Sequence, residues 1–192
     1  MRWKRTRIAA VLLGLAAAPA AGAGERTVVA ASVIAALTAD LTGDGGMDRA
    51  LLVDNGGGYV DLLVFSNLDN RMELVAESRS VAWLGHAWGT LPELGLSPTG
   101  ALQVTAMNEA VGRHRWRQTL TILYRNDRFM VGGYTYSAYD TLAPDTGRDC
   151  DVNLMTGRGI AGGVVFESRV RTVPIEEWNA ETAASSGICP AD

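Results

Sequence analysis

Turn-forming residues recur about every ten positions along most of this chain, and the stretches between them are short and β-like. Such spacing leaves no room for long helices and points to strands joined by tight hairpins. The pattern is clearest in the second half. Leu102 to Met107 alternates with period two, and so does the run from Arg113 to Tyr124. In that run His114, Trp116, Gln118, Leu120, Ile122 and Tyr124 share one face, and Arg113, Arg115, Arg117, Thr119, Thr121 and Leu123 share the other. Arg125 to Arg128 then turns the chain into Phe129-Met130-Val131, and the strand resumes at Tyr134-Thr135-Tyr136. The Gly132-Gly133 pair between them reads as a bulge or a close backbone approach.

The first half follows the same logic. Arg49 to Val53 and Tyr59 to Phe65 are apolar runs separated by Asp54-Asn55-Gly56-Gly57-Gly58, a hairpin signal because glycine reaches positive φ without a Cβ clash. Ser66 to Asn70 is the next turn, Met72 to Val75 another strand, and a turn near Glu77 to Ser80 leads into Val81 to Leu84. Further on, Val152 to Met155 and Ile160 to Glu167 flank Thr156 to Gly159 as a second hairpin. From Thr27 to Leu41 the chain is apolar and alanine-rich, and periodicity does not separate a short helix from a strand. The expected fold is therefore all-β, mainly antiparallel and sandwich-like, in a single domain with room for one short N-terminal helix. The Asp/Gly loop at 40–48 occurs once, which argues against a multi-bladed propeller within this chain.

The N-terminus has the order of a secretory signal. Arg2, Lys4, Arg5 and Arg7 precede the apolar run Ile8 to Ala18, and small residues follow. A run of about a dozen residues is too short to span a bilayer, which needs roughly 20. The pattern Ala21-Gly22-Ala23 places the cut after Ala23, with Ala18-Pro19-Ala20 as a second site. This predicts residues 1–23 as a signal peptide, 24–173 as the β domain and 174–192 as a polar tail, with a periplasmic or secreted address. Removing residues 1–23 takes away four basic and no acidic residues, so a formal charge of −4 becomes −8. A surface of that sign disfavours nucleic acid and anionic lipid as partners, and no membrane span is expected after cleavage. In an oxidising compartment the two cysteines, Cys150 and Cys189, are expected to pair, closing a loop of about 40 residues and tying down the tail.

The most specific local motif is Asp40-Leu41-Thr42-Gly43-Asp44-Gly45-Gly46-Met47-Asp48. Counting from Asp40, carboxylates fall at positions 1, 5 and 9, the Thr42 hydroxyl at 3 and the Gly46 carbonyl at 7. Five oxygens converging on a glycine-rich loop suit Ca2+. Leu51 stands where an EF-hand would place its bidentate Glu, so a helix-loop-helix hand is disfavoured. The competing reading is that Asp40, Asp44 and Asp48 accept backbone N–H groups in Asx-type turns. With Ala50-Leu51-Leu52-Val53 following it, this loop resembles the FG-GAP or VCBS-type repeat of integrin-like propellers. The resemblance implies Asp40, Asp44 and Asp48 as calcium ligands, with Thr42 a substituted one. The second half, through Arg115 to Thr121, Gly133 to Tyr136 and Asp151 to Gly157, is similar to a group of uncharacterised exported bacterial proteins carrying the same loop near their start.

Other chemistry is sparse. His86 and His114 are the only histidines, and neither sits in a zinc or triad motif. Trp83, Trp88, Arg115, Trp116, Tyr134 and Tyr136 form a candidate aromatic and arginine platform for an unidentified ligand or envelope protein. Such residues otherwise serve as core and cross-strand pairs. The leading expectation is a non-enzymatic exported β domain for binding or envelope structure. Its rival is a periplasmic hydrolase using carboxylates such as Asp61, Glu109 or Asp140 near His114, which requires a carboxylate with a raised pKa. A subunit of a larger assembly would instead show an exposed apolar patch or an unprotected sheet edge.

Overall fold

The computed structural model describes residues 27–68, 71–180 and 187–190. The predicted signal segment, residues 1–23, lies outside the described residues. The chain is all-β: twelve strands among the described residues form two antiparallel sheets. The first sheet contains β1 (Val33–Ala39), β2 (Asp48–Asp54), β3 (Tyr59–Leu68) and β4 (Arg71–Trp83) in sequence order. The second holds β5 (Glu93–Leu96), β6 (Leu102–Asn108), β7 (His114–Arg125), β8 (Arg128–Asp140), β9 (Ala143–Asn153), β10 (Arg158–Ala161) and β11 (Val164–Glu167), also in sequence order. The two-residue strand β12 (Val173–Pro174) pairs with Val131 and Met130 of β8, beyond the point where β9 stops pairing. Every neighbour within the two meanders is thus the preceding strand, and only the β4–β5 connection passes from one sheet to the other.

The sheets share one core because alternation turns one face of each inward. Leu52, Val60, Leu62 and Val64 from the first sheet meet Leu102, Val104, Leu120, Ile122 and Val152 from the second. The inward face of β7 is the one its periodicity indicates. The ambiguous N-terminal segment becomes a single 3-10 turn at Ala30–Ser32 followed directly by β1. The hairpin across Asp54 to Gly58 forms with Asp54 opposite Val60 and Arg49 opposite Phe65. At Gly132-Gly133 the β7–β8 register shifts, as expected of a bulge. A Cβ on Gly132 would lie 2.3 Å from Leu123 Cδ2, so the absence of a side chain is what lets the strands stay close.

Two elements differ from the sequence expectation. No turn separates Met72–Val75 from Val81–Leu84; β4 runs through, with a bulge where Leu62 faces Ser78 but Val60 faces Ala82. Ser80 adopts φ 52°, and its N–H donates to the buried Asp61 carboxylate at 3.0 Å. The stretch Ile160 to Glu167 is not one strand, because Gly162-Gly163 folds it into the β10–β11 hairpin. The tail is also held by more than its cysteine. Ile175, Trp178 and Ile188 are buried in the core, and Ser78 Oγ donates to the Trp178 carbonyl at 2.7 Å. Cys150 and Cys189 form a disulfide, with Cα atoms 6.2 Å apart.

Candidate functional site

The Asp/Gly loop joins β1 to β2 and is closed by its own carboxylates. Gly43 and Gly45 take φ of +80° and +85°, a region that costs an L-residue a Cβ clash, and this curls their amides toward Asp40. Gly43 N–H donates to Asp40 Oδ1 at 2.7 Å and Gly45 N–H to Oδ2 at 3.0 Å. Asp44 accepts from Gly46 N–H at 2.6 Å. Asp48 is fully buried: its Oδ2 accepts from Leu41 N–H at 2.8 Å, Thr42 N–H at 3.0 Å and the Thr42 hydroxyl at 3.3 Å. Its Oδ1 accepts from Ser66 Oγ of β3 at 2.7 Å. The sequence motif brings the five candidate ligands Asp40, Thr42, Asp44, Gly46 and Asp48 into one loop. Among the described residues, however, no three acidic, histidine or cysteine side chains surround a common point. In this arrangement each of the three carboxylates accepts backbone N–H groups, so the loop is bracketed by its own hydrogen bonds.

Several of the candidate aromatic residues lie near the end of β4 and the start of β7, and β-strand parity decides which of them meet. Trp83 closes β4, and its ring lies 5.5 Å from that of Trp116 on β7, tilted by 56°. Both are half-buried. Tyr136 of β8 points to the same face, opposite Gln118, and the Arg148 guanidinium from β9 sits 5.6 Å above its ring. At that distance a cation over a π-face contributes roughly 0.5–1 kcal/mol at an exposed site. Tyr134 is the inner member: it is buried, its hydroxyl donates to Gln118 Oε1 at 3.4 Å, and its ring stands 6.2 Å from Trp178. Burial pushes the Tyr134 hydroxyl up to about 12. Trp88 belongs to the loop at 85–92 and is 90% exposed. That loop is stitched by Thr90, whose Oγ accepts from Ala87 N–H and donates to Ala87 O, and it leans on the β6–β7 turn through Glu109 N–H to Gly89 O at 2.8 Å. Arg115 is excluded from this group, since alternation puts it on the other face of β7 opposite Tyr139. Arg148 is the member that sequence reasoning missed. Its strand starts in Ala143-Pro144-Asp145-Thr146-Gly147, which carries no alternation to read.

The carboxylates proposed for catalysis do not assemble. Asp61 lies under the β4 bulge, accepting from Ser80 N–H and from Asn55 Nδ2 at 3.3 Å. Glu109 pairs with Arg117 at 3.3 Å. Asp140 alone approaches His114, with Nδ1 3.9 Å from Oδ2. Arg113 forks onto that same carboxylate, Nε reaching Oδ1 at 2.9 Å and Oδ2 at 2.8 Å, and Leu142 N–H adds a bond at 3.0 Å. These donors, the Arg113 guanidinium first, hold the Asp140 carboxyl below the usual carboxylate range. A general acid needs the opposite shift. His86 and His114 are both exposed.

Grooves mark the surface of the described residues. One of about 620 Å³ lies on the outer face of the second sheet, over the glycine bulge, between Leu123 and Met155 on one side and Ile160 and Val165 on the other. Its acidic group, Asp151, accepts from Thr135 Oγ at 3.2 Å. A smaller one of about 350 Å³ is lined by Glu77, Arg79, Glu176, Glu177 and Trp178. No protein-family model matches the chain, and no curated protein and no solved structure is similar to it.

Proposed function

We propose that the protein is a non-enzymatic, exported β domain whose aromatic end binds a partner outside the cytoplasm, either a ligand or an envelope protein. The observation that carries this reading is the half-exposed Trp83–Trp116 pair, continued by Tyr136 beneath Arg148 and set beside the exposed Trp88 loop. Flat apolar area next to a planar donor suits ligands that offer a flat face and an acceptor, such as a sugar ring or a peptide. The lowered Asp140 carboxyl, and the engagement of Asp61 with Ser80 and Asn55 and of Glu109 with Arg117, weigh against the hydrolase. Export is supported by the basic and apolar N-terminal order and by the Cys150–Cys189 disulfide, a bond typical of oxidising compartments.

Binding is tested by titrating the purified protein with a panel of soluble oligosaccharides and short peptides while following tryptophan fluorescence. Trp88→Ala and Arg148→Ala should each weaken any saturable response about tenfold, the equivalent of ~1.4 kcal/mol. A panel-wide absence of response, or one indifferent to both substitutions, would remove the aromatic end from the proposal. The address is tested by fractionation: material from the periplasm or medium should begin at Gly24. Calcium stands apart from this reading. A calorimetric heat at millimolar calcium that Asp44→Ala abolishes would add an ion to the 40–48 loop, whereas no heat leaves that loop to its own hydrogen bonds.

A further inference from the structure

The second sheet ends in β11, whose one strand neighbour among the described residues is β10. Open edges are normally blunted by lysine, proline, a bulge or an inward charge. β11 reads Val164-Val165-Phe166-Glu167 and carries none of these over its first three positions. Val164 is 69% exposed and Val165 71%, and Ile160, directly across from Val165 on β10, is 49% exposed. Three apolar side chains thus crowd the last two strands of a sheet belonging to an acidic protein.

The hairpin geometry shows which backbone groups the edge offers. Ala161 and Val164 flank the two-residue Gly162-Gly163 turn and form its closing hydrogen-bonded pair. Alternation then turns the N–H and C=O of Val164 and Phe166 toward β10, and those of Val165 and Glu167 outward. The outward groups form an antiparallel template.

We infer that the protein pairs with a second copy of itself through this edge, the two β11 strands running antiparallel across a twofold axis centred on Val165. An axis normal to the sheet keeps outer faces together and puts like residues opposite each other at its centre. Among such registers, centring on Glu167 would set two carboxylates face to face. Centring on Phe166 would put Glu167 against Val165 of the partner, and centring on Val164 would place Phe166 and Glu167 beyond the partner's strand. The Val165 register alone sets Val165 against Val165, continues the row outward to Ile160 on each side, and leaves Glu167 opposite the turn glycine Gly163. Glu167 there keeps Arg158 as its cross-strand neighbour within its own copy. The two outer-face grooves, each walled by Ile160 and Val165, come to lie side by side.

Sedimentation velocity on the purified protein, from low to high micromolar, tests this. The wild type should shift toward twice the monomer mass as concentration rises, and the Val165 and Glu167 amides should gain hydrogen-exchange protection with it. Val165→Pro removes an outward N–H without touching the bonds to β10, and Val165→Lys sets two cations against each other at the axis. Both should stay monomeric with an unchanged far-ultraviolet circular dichroism spectrum. A monomer at every concentration overturns the inference, and so does a dimer that survives Val165→Lys, the variant least able to disturb the fold at this exposed position.

Discussion

Asp48 accepts four hydrogen bonds from inside the protein and ties the loop before β2 to Ser66 on β3. Removing it strands the buried Leu41 amide, the partly buried Thr42 amide and the buried Ser66 hydroxyl, so Asp48→Ala should lower stability by about 3 kcal/mol in a urea titration. The motif identified this carboxylate as one of three equivalent loop acids. Its distinct role was not legible, because Ser66 stands 18 positions away and meets it only through strand register. Tyr134 carries a prediction of a different kind. Its raised folded pKa means that the unfolded chain loses the phenolic proton first, near the ordinary value of about 10. The stabilisation is complete below that pH and is lost as pH rises toward about 12. Thermal scans should therefore show a steep alkaline fall that Tyr134→Phe removes. Asp140 has the opposite sign: its contribution is present at neutral pH and lost as acid protonates the folded carboxyl, and its exposure on the surface keeps that contribution small.

Strands that bury one face announced themselves, and strands lacking that asymmetry did not. β6 and β7 alternate cleanly because one side meets the core, and the β2–β3 hairpin is flagged by its glycines. β9 is exposed from Pro144 to Asp149, so its first half offers no period to detect. Strand parity explains the partial success at the aromatic end. Trp83, Trp116 and Tyr136 are brought together, Tyr134 sinks into the core, and Arg115 belongs to the reverse face. β4 looked interrupted because Glu77-Ser78-Arg79-Ser80 is a polar run, yet the strand continues through it with Ser80 at positive φ and its amide anchored by Asp61 in the neighbouring strand. The β7–β8 hairpin makes a direct test of local geometry. Asn126 and Asp127 both hold positive φ, at 54° and 59°, the signature of a type I′ turn. Asp127→Gly relieves the second of these and should raise stability by about 0.5–1 kcal/mol, read from the denaturation midpoint.

At the scale of the whole molecule, two meanders closed by one core make up the chain, and the disulfide joins β9 to a segment 39 positions further on. Cys189→Ser should cost about 3–4 kcal/mol by the chain-entropy model, with reduction of the wild type lowering the unfolding midpoint to the same level. Part of the anchoring should survive, because Ile175 and Trp178 stay in the core without the bond. Since each strand of the two meanders pairs with the one made just before it, these sheets can be laid down vectorially, N-terminus first. The late exceptions are β12, which returns to β8, and Trp178, whose carbonyl meets Ser78 a hundred positions back. Locking of the fold therefore waits for the segment around Trp178, and a chain stalled before that segment would hold formed but unlatched sheets.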